Sequence, residues 1–191
     1  GGEIFQSAKI PAIGCSCTNP GVTSLCDYYW RVCFLDPFQG TVMANFAMDE
    51  KAAAKAYVLT QLGDDYSTGL GFYFQQAFTA LGGEVVAGEF PEGTSDFTAY
   101  LNNAINDGVQ VFFCPTSTTS AALIIDQAAS LNVPFALMAG DTWESSVILE
   151  AAKGKNVEVF CSTFFDEKDE TSTIAAEFVD GFKAWMNANP D

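Results

Sequence analysis

The sequence predicts an α/β fold: a doubly wound parallel sheet with helices on both faces, in three layers α/β/α. Three observations carry that expectation. Short runs rich in β-branched and aromatic residues recur along the chain, each followed by a stretch with apolar residues at helical spacing, which is the pattern of βα units. Some runs, such as Val109-Gln110-Val111-Phe112-Phe113-Cys114, are apolar almost throughout and suit strands covered on both faces. Glycines and small polar residues punctuate the boundaries where helices should stop and start.

Taken in order, Glu3–Ala8 reads as a helix with no strand before it, followed by strands at Lys9–Ile13 and Tyr28–Phe34. A helix at Phe38–Asp49 leads to a strand at Ala56–Thr60, and a helix at Thr68–Leu81 is stopped by Gly82-Gly83. After a strand at Glu84–Phe90, Ser95 or Asp96 can cap a helix at Phe97–Asp107 that Gly108 ends. Strands at Val109–Cys114, Pro134–Ala139 and Val157–Thr163 alternate with helices at Thr119–Leu131, Ser146–Ala152 and Ser172–Asn187, and Ser145 stands before the second of these. A flavodoxin-like order, 2-1-3-4-5, is expected for the five strands from Ala56 onward. It places Cys114 and Cys161 one strand apart, about 9–10 Å, too far to bond.

Composition narrows the function. At 191 residues with 49% hydrophobic content, the chain can bury a sizeable core. Its 24 acidic against 8 basic residues give a net charge of −16, which repels phosphate backbones and anionic lipid surfaces. Histidine is absent, which removes Ser-His-Asp and Cys-His nucleophile pairs, His-ligated metals and imidazole acid/base chemistry. Of the six cysteines, Cys15, Cys17, Cys26 and Cys33 lie close in sequence, but their spacings do not form two CxxC knuckles, so buried thiols or a local disulfide are expected in place of zinc. No run approaches the roughly 18 apolar residues of a membrane span, and no cofactor is called for. A P-loop is absent, and Gly69-Leu70-Gly71 has Phe74 where GxGxxG needs its third glycine.

In open α/β sheets the ligand lies beyond the carboxyl ends of the strands, so four strand-to-helix loops matter: 14–20, 61–67, 115–118 and 140–145. They carry hydroxyls, amides, carboxylates and one phenol, with no nucleophile–base pair, an inventory that suits binding. Hydroxyls and amides near Ser16 and Thr18 can hold a carboxylate while Asp141 pairs with an ammonium. The structural alternative makes Ser16, Thr18 and Ser145 turn or cap residues and Asp141 a solvated loop acid. Trp143 either walls a pocket or covers the helix that follows. Asp64-Asp65 and Asp141 with Glu144 are the available carboxylate pairs for a small hydrolase.

At these loops the sequence resembles the type I periplasmic-binding-protein superfamily, and within it the branched-chain amino-acid solute-binding proteins of ABC transporters. The ordered motifs are Lys9-Ile10-Pro11-Ala12-Ile13 through Thr18-Asn19-Pro20, then Tyr29-Trp30-Arg31 with Asp36-Pro37-Phe38-Gln39-Gly40. Asp65-Tyr66-Ser67-Thr68-Gly69-Leu70, Gly82-Gly83-Glu84-Val85-Val86, Thr94-Ser95-Asp96-Phe97, Ala121–Ala128 and Met138–Trp143 follow in register. The resemblance implies a two-lobed clamshell, with 41–163 as the second lobe and 1–40 and 164–191 as pieces of the first. Leu35–Gly40 would cross between lobes and Phe165–Glu170 would return.

By the same resemblance, Ser16 and Thr18 hold the ligand carboxylate, Asp141 its ammonium, and Tyr66 closes over it, with Ser117 where leucine binders often carry an aromatic. The implied function is an exported, extracellular or periplasmic solute-binding protein, not an enzyme, that delivers an amino acid to an ABC transporter permease. A sensory domain of the same fold and, from another class, a carboxylate-based hydrolase are the alternatives. The abrupt ends read as those of an excised fragment. Such a piece is expected to bind its ligand poorly, and its 1–40 and 164–191 segments to stay mobile or pack on a second copy as a homodimer.

Overall fold

In the computed structural model, which describes residues 1–169 and 171–190, seven parallel strands alternate with helices. They run α1 (Gly2–Ala8), β1 (Ala12–Gly14), β2 (Tyr29–Arg31), α2 (Asp36–Asp49), β3 (Lys55–Gln61), α3 (Asp65–Ala80), β4 (Glu84–Phe90) and α4 (Thr98–Asp107). The chain continues with β5 (Val111–Phe113), α5 (Thr118–Leu131), β6 (Ala136–Ala139), α6 (Ser146–Ala152), β7 (Val159–Cys161) and α7 (Thr173–Ala188). Every expected strand and helix is present, with ends shifted by a few residues.

Five strands form one parallel sheet in the order β4-β3-β5-β6-β7, the expected 2-1-3-4-5 for the strands from Lys55 onward. Because side chains alternate across a strand, each strand serves two cores. Tyr57 and Leu59 of β3, Phe112 of β5 and Leu137 of β6 pack against α4, α5 and α6. Ala56 and Val58, Val111 and Phe113, Ala136 and Met138 face the other way, onto α2 and α3. Burying both faces explains why β5 and β6 carry no polar residue. β6 separates the strands that lead to Cys114 and Cys161, and all six cysteines are free thiols.

Local chemistry fixes the helix starts. Asp64 caps α3, its carboxylate accepting the Tyr66 and Ser67 amides at 2.9 and 3.1 Å. Ser117 and Ser145 cap α5 and α6. Asp96, not Ser95, receives the Thr98 amide before α4, at 2.9 Å. Gly108, with φ 67°, closes α4 in the left-handed conformation that glycine adopts without strain.

Two boundaries differ from expectation. Lys9 is the left-handed cap of α1, with φ 55°, so β1 begins only at Ala12. The helix expected from Phe38 starts earlier: α2 begins at Asp36, and Pro37 sits in its first turn, where a missing N–H removes no helical bond. Glu170, the end of the expected return segment, and Asp191 lie outside the described residues.

β1 and β2 pair only with each other, in a parallel two-stranded sheet. Trp30 and Ile13 are exposed there, as are Phe178, Phe182 and Trp185, whose rings stack along α7. By contrast Phe74 of α3 is fully buried, stacked on Phe113 at 4.1 Å and on Phe78 at 5.5 Å. Phe74→Ala should therefore cost about 3–5 kcal/mol of stability in urea unfolding, the sum of lost transfer energy and a cavity that a rigid sheet cannot close. A loss like that of an exposed aromatic, for which Phe178→Ala is the control, would show that α3 does not pack on the sheet. Mass spectrometry of the unreduced, alkylated protein should show no Cys114–Cys161 crosslink.

Candidate functional site

Parallel pairing brings the carboxyl ends of β3, β5 and β6 to one edge of the sheet, and the loop after β1 reaches the same edge from outside it. Between them lies a cavity of about 940 Å³. Its walls are Ser16 to Asn19 from the β1 loop, Asp64 to Tyr66 at the start of α3, Ser117 at the start of α5, Asp141, Thr142 and Glu144 after β6, and Phe164 after β7.

The β1 loop owes its shape to Arg31. Its guanidinium donates to the carbonyls of Cys17 at 2.5 Å, Asn19 at 2.8 Å and Pro20 at 3.2 Å, and to the Thr23 hydroxyl. Asn19 then donates through Nδ2 to the Asp65 carbonyl at 2.9 Å, which ties the loop to α3 across the cavity floor. Arg31 is thereby committed to carbonyls. No lysine or arginine lines the cavity.

Asp141 opens the turn after β6 and is 9% exposed. The Tyr66 hydroxyl donates to its Oδ1 at 3.0 Å, and the side chain lines the cavity. Burial pushes the Asp141 carboxyl above the ordinary range, against hydrogen bonds from Tyr66, the Gln39 side chain and a backbone N–H, and the nearby Glu144 charge adds to the rise. The Tyr66 phenol is itself pushed up, first by burial and then by Asp141, so it remains a neutral donor. Gly140 is needed beside them because a Cβ there would collide with the Tyr66 hydroxyl and lie 2.5 Å from Leu70.

Asp36 is completely buried, and burial raises its carboxyl too. The Thr18 hydroxyl lies close enough to favour its charged form. Yet neither Thr18 Oγ1 nor Asp36 Oδ2 completes a hydrogen bond among the described residues. Such buried orphans are uncommon in finished structures and mark a place where a further polar group belongs.

Of the residues singled out in the sequence, Ser16, Thr18, Tyr66, Ser117 and Asp141 all reach this cavity. Trp143 does not. It is 1% exposed in the core beneath, its Nε1 donating to the Thr116 carbonyl at 3.2 Å, so it anchors the loop and walls nothing. Asp64 also lines the cavity, with its Oδ1 engaged in capping α3. Among the described residues, no group of three or more His, Cys, Asp or Glu side chains is placed to hold a metal ion, and no helix is long and apolar enough to cross a membrane.

Residues 1–191, the whole chain, match the model of a family described as periplasmic binding protein. The chain belongs to the periplasmic-binding-protein family. Among solved structures it is similar to the leucine-binding protein LivK of Thermotoga maritima, with 32% identity and a TM-score of 0.88 over 97% of this chain and 53% of that one. It is also similar to the branched-chain amino-acid substrate-binding protein LivJ of Streptococcus pneumoniae, solved with isoleucine: 26% identity, TM-score 0.83, 97% of this chain and 53% of that one. A solute-binding protein from R. palustris, in complex with benzoate, shares the fold at 20% identity and TM-score 0.77, over 97% of this chain and 51% of that one. No curated protein matches. This periplasmic-binding-protein chain spans about half the length of the solved relatives it matches.

Sequence reading missed the roles of Asn19, Arg31 and Gln39, which act through backbone atoms of residues distant in sequence. A polar Gln39 on the buried stripe of α2, beside Met43 and Ala47, was the available signal.

A raised carboxyl pKa in the folded state means that the fold binds a proton which the unfolded chain has lost. Stability from this source is therefore full below the ordinary carboxylate range and falls as pH rises through the elevated value. Asp141→Asn removes that dependence. Its melting temperature should gain on wild type as pH rises from the acid range toward neutral, measured without ligand. A lead that shrinks with rising pH would mean that Asp141 is held charged by a partner.

Proposed function

We propose that this chain is part of an extracytoplasmic solute-binding component of an ABC transporter, which holds an amino acid of the branched-chain type or a similar small polar metabolite between two lobes. Residues 41–163 form the second lobe, and 1–40 and 164–191 belong to the first. Asp141 is the observation that carries this reading: a carboxylate nine-tenths buried, held by neutral donors such as the Tyr66 hydroxyl, on the wall of a cavity whose described lining includes no lysine or arginine. Such a group calls for an ammonium.

The ligand carboxylate would be met by the hydroxyls and amides at Ser16 and Thr18 and the hydroxyl of Ser117, and the Tyr66 ring would close the pocket. The similarity to LivK, a leucine-binding protein, supports leucine and its homologues as first candidates. The lack of histidine and of a nucleophile–base pair among the described lining residues supports binding over catalysis. Its partner is a transporter permease. The exposed apolar residues of β1, β2 and α7 support self-association when these elements lack other cover, and light scattering over a dilution series should then show a dimer that dissociates.

Titration calorimetry of the full-length protein with leucine, isoleucine, valine and benzoate tests the ligand. Binding of an amino acid is expected, and Asp141→Ala should weaken it by about 2–5 kcal/mol, the penalty for removing one partner of a desolvated charge pair. An unchanged dissociation constant in Asp141→Ala would remove the ammonium role, and turnover of an added ester or glycoside would revive the hydrolase.

A further inference from the structure

Gln39 lies in the second turn of α2, 1% exposed, and its side-chain amide joins segments that are far apart in the chain. Its Nε2 donates to Asp36 Oδ1 at 3.1 Å. Its Oε1 accepts from the Asp141 backbone N–H at 2.8 Å and from the Ser162 hydroxyl at 2.5 Å. The amide can face only one way, because a backbone N–H donates and never accepts. Asp36 in turn donates its own N–H to the Thr18 carbonyl at 3.0 Å. One amide thus links the β1 loop, the start of α2, the loop bearing Asp141 and the segment leaving β7.

We propose that Gln39 is a positioning residue for the ligand site. It fixes the backbone of Asp141, and with it the carboxylate, in register with the start of α2 at Asp36 and the segment leaving β7 at Ser162. This inference rests on the ligand-binding reading of Asp141. Seating a ligand on Asp141 then reaches both segments through one buried hydrogen-bonded centre. Only an amide fits the position. It must donate to a carboxylate while accepting from an N–H and an O–H; leucine can do neither, and glutamate would set a third carboxylate beside Asp36 and Asp141.

The test uses Gln39→Leu and Gln39→Glu in the full-length protein with two readouts. The first needs no ligand: amide exchange at Asp141, followed by NMR, should speed up in Gln39→Leu because its N–H loses its acceptor. The second is calorimetric titration with leucine, in which Gln39→Leu should weaken binding by about tenfold or more, as for other outer-shell supports of a site. Gln39→Glu should be weak at neutral pH and approach wild type measured at the same pH as acid is added, since the new carboxyl, once protonated, can donate to Asp36. Unchanged exchange at Asp141 in Gln39→Leu, or leucine affinities within twofold of wild type in both variants, would overturn the proposal. If Asp141→Ala also leaves leucine binding unchanged, the ligand reading has failed instead, and the exchange result still decides whether Gln39 positions Asp141.

Discussion

A carboxylate held out of water without a basic side chain beside it is the constraint around which the site is arranged. Desolvating an ionised acid is costly, and a protein that keeps one normally supplies a cation or several hydrogen bonds. Asp141 has the Tyr66 hydroxyl, and the nearest guanidinium, Arg31, is consumed by the carbonyls of Cys17, Asn19 and Pro20. The shortfall is what a ligand can supply. On the proposed reading, a ligand ammonium would relieve that deficit and would meet a site already desolvated and oriented. Gly140, Trp143 and Gln39 each serve that end, by allowing close approach of Tyr66, by anchoring the loop to the Thr116 carbonyl, and by holding the Asp141 amide.

Sheet topology explains why the cavity lies where it does. β3 pairs with β4 on one side and β5 on the other, so the connections leaving β3 and β5 run to opposite faces and leave a crevice at their carboxyl ends. Tyr66 starts the helix after β3 and Ser117 caps the helix after β5, one on each side of that crevice. Asp141 arrives from β6, a strand further on, and reaches Tyr66 because a turn of 3-10 helix begins directly after the strand. The β1 loop closes the cavity from outside the sheet. Its attachment through Asn19 to the Asp65 carbonyl makes it part of the site.

The fold was legible because βα alternation writes itself locally. β5 reads as a covered strand from its own residues, and Gly108, Ser117 and Ser145 mark helix ends by side-chain chemistry acting within three residues. Loop residues of the site could be named for a similar reason: the carboxyl ends of strands are known once the strands are. Trp143 defeated the reading because its position two residues beyond Asp141 is equally compatible with a cavity wall and a core anchor, and only packing against Ile148 and the α5 side of the sheet separates them. Gln39 was legible only as part of a motif. Its partners lie 102 and 123 residues away, and no local pattern encodes a bond from an amide to a distant backbone N–H. Asp36 hid its helical start behind Pro37, since proline reads as a breaker although it is well tolerated in a first turn.

The same electrostatic deficit sorts ligand chemistries that this fold accepts. Benzoate, held by a solved relative, and leucine both carry a carboxylate, and on the proposed reading either one would meet only neutral donors in this cavity, the hydroxyls of Ser16 and Ser117 and the amides of the β1 loop. The difference lies at the other end. An amino acid brings an ammonium that compensates Asp141, so its two charges and that of Asp141 leave a desolvated site with one net negative charge. Benzoate brings none, and its carboxylate would share a low-dielectric space with Asp141 and the nearby Glu144. Like charges at such separations raise one another's pKa and weaken binding of the second anion. Protonating Asp141 would lift that penalty but would also give up the attraction to a zwitterion, so on the proposed reading the carboxylate that would favour an amino acid is the group that would disfavour an aromatic acid.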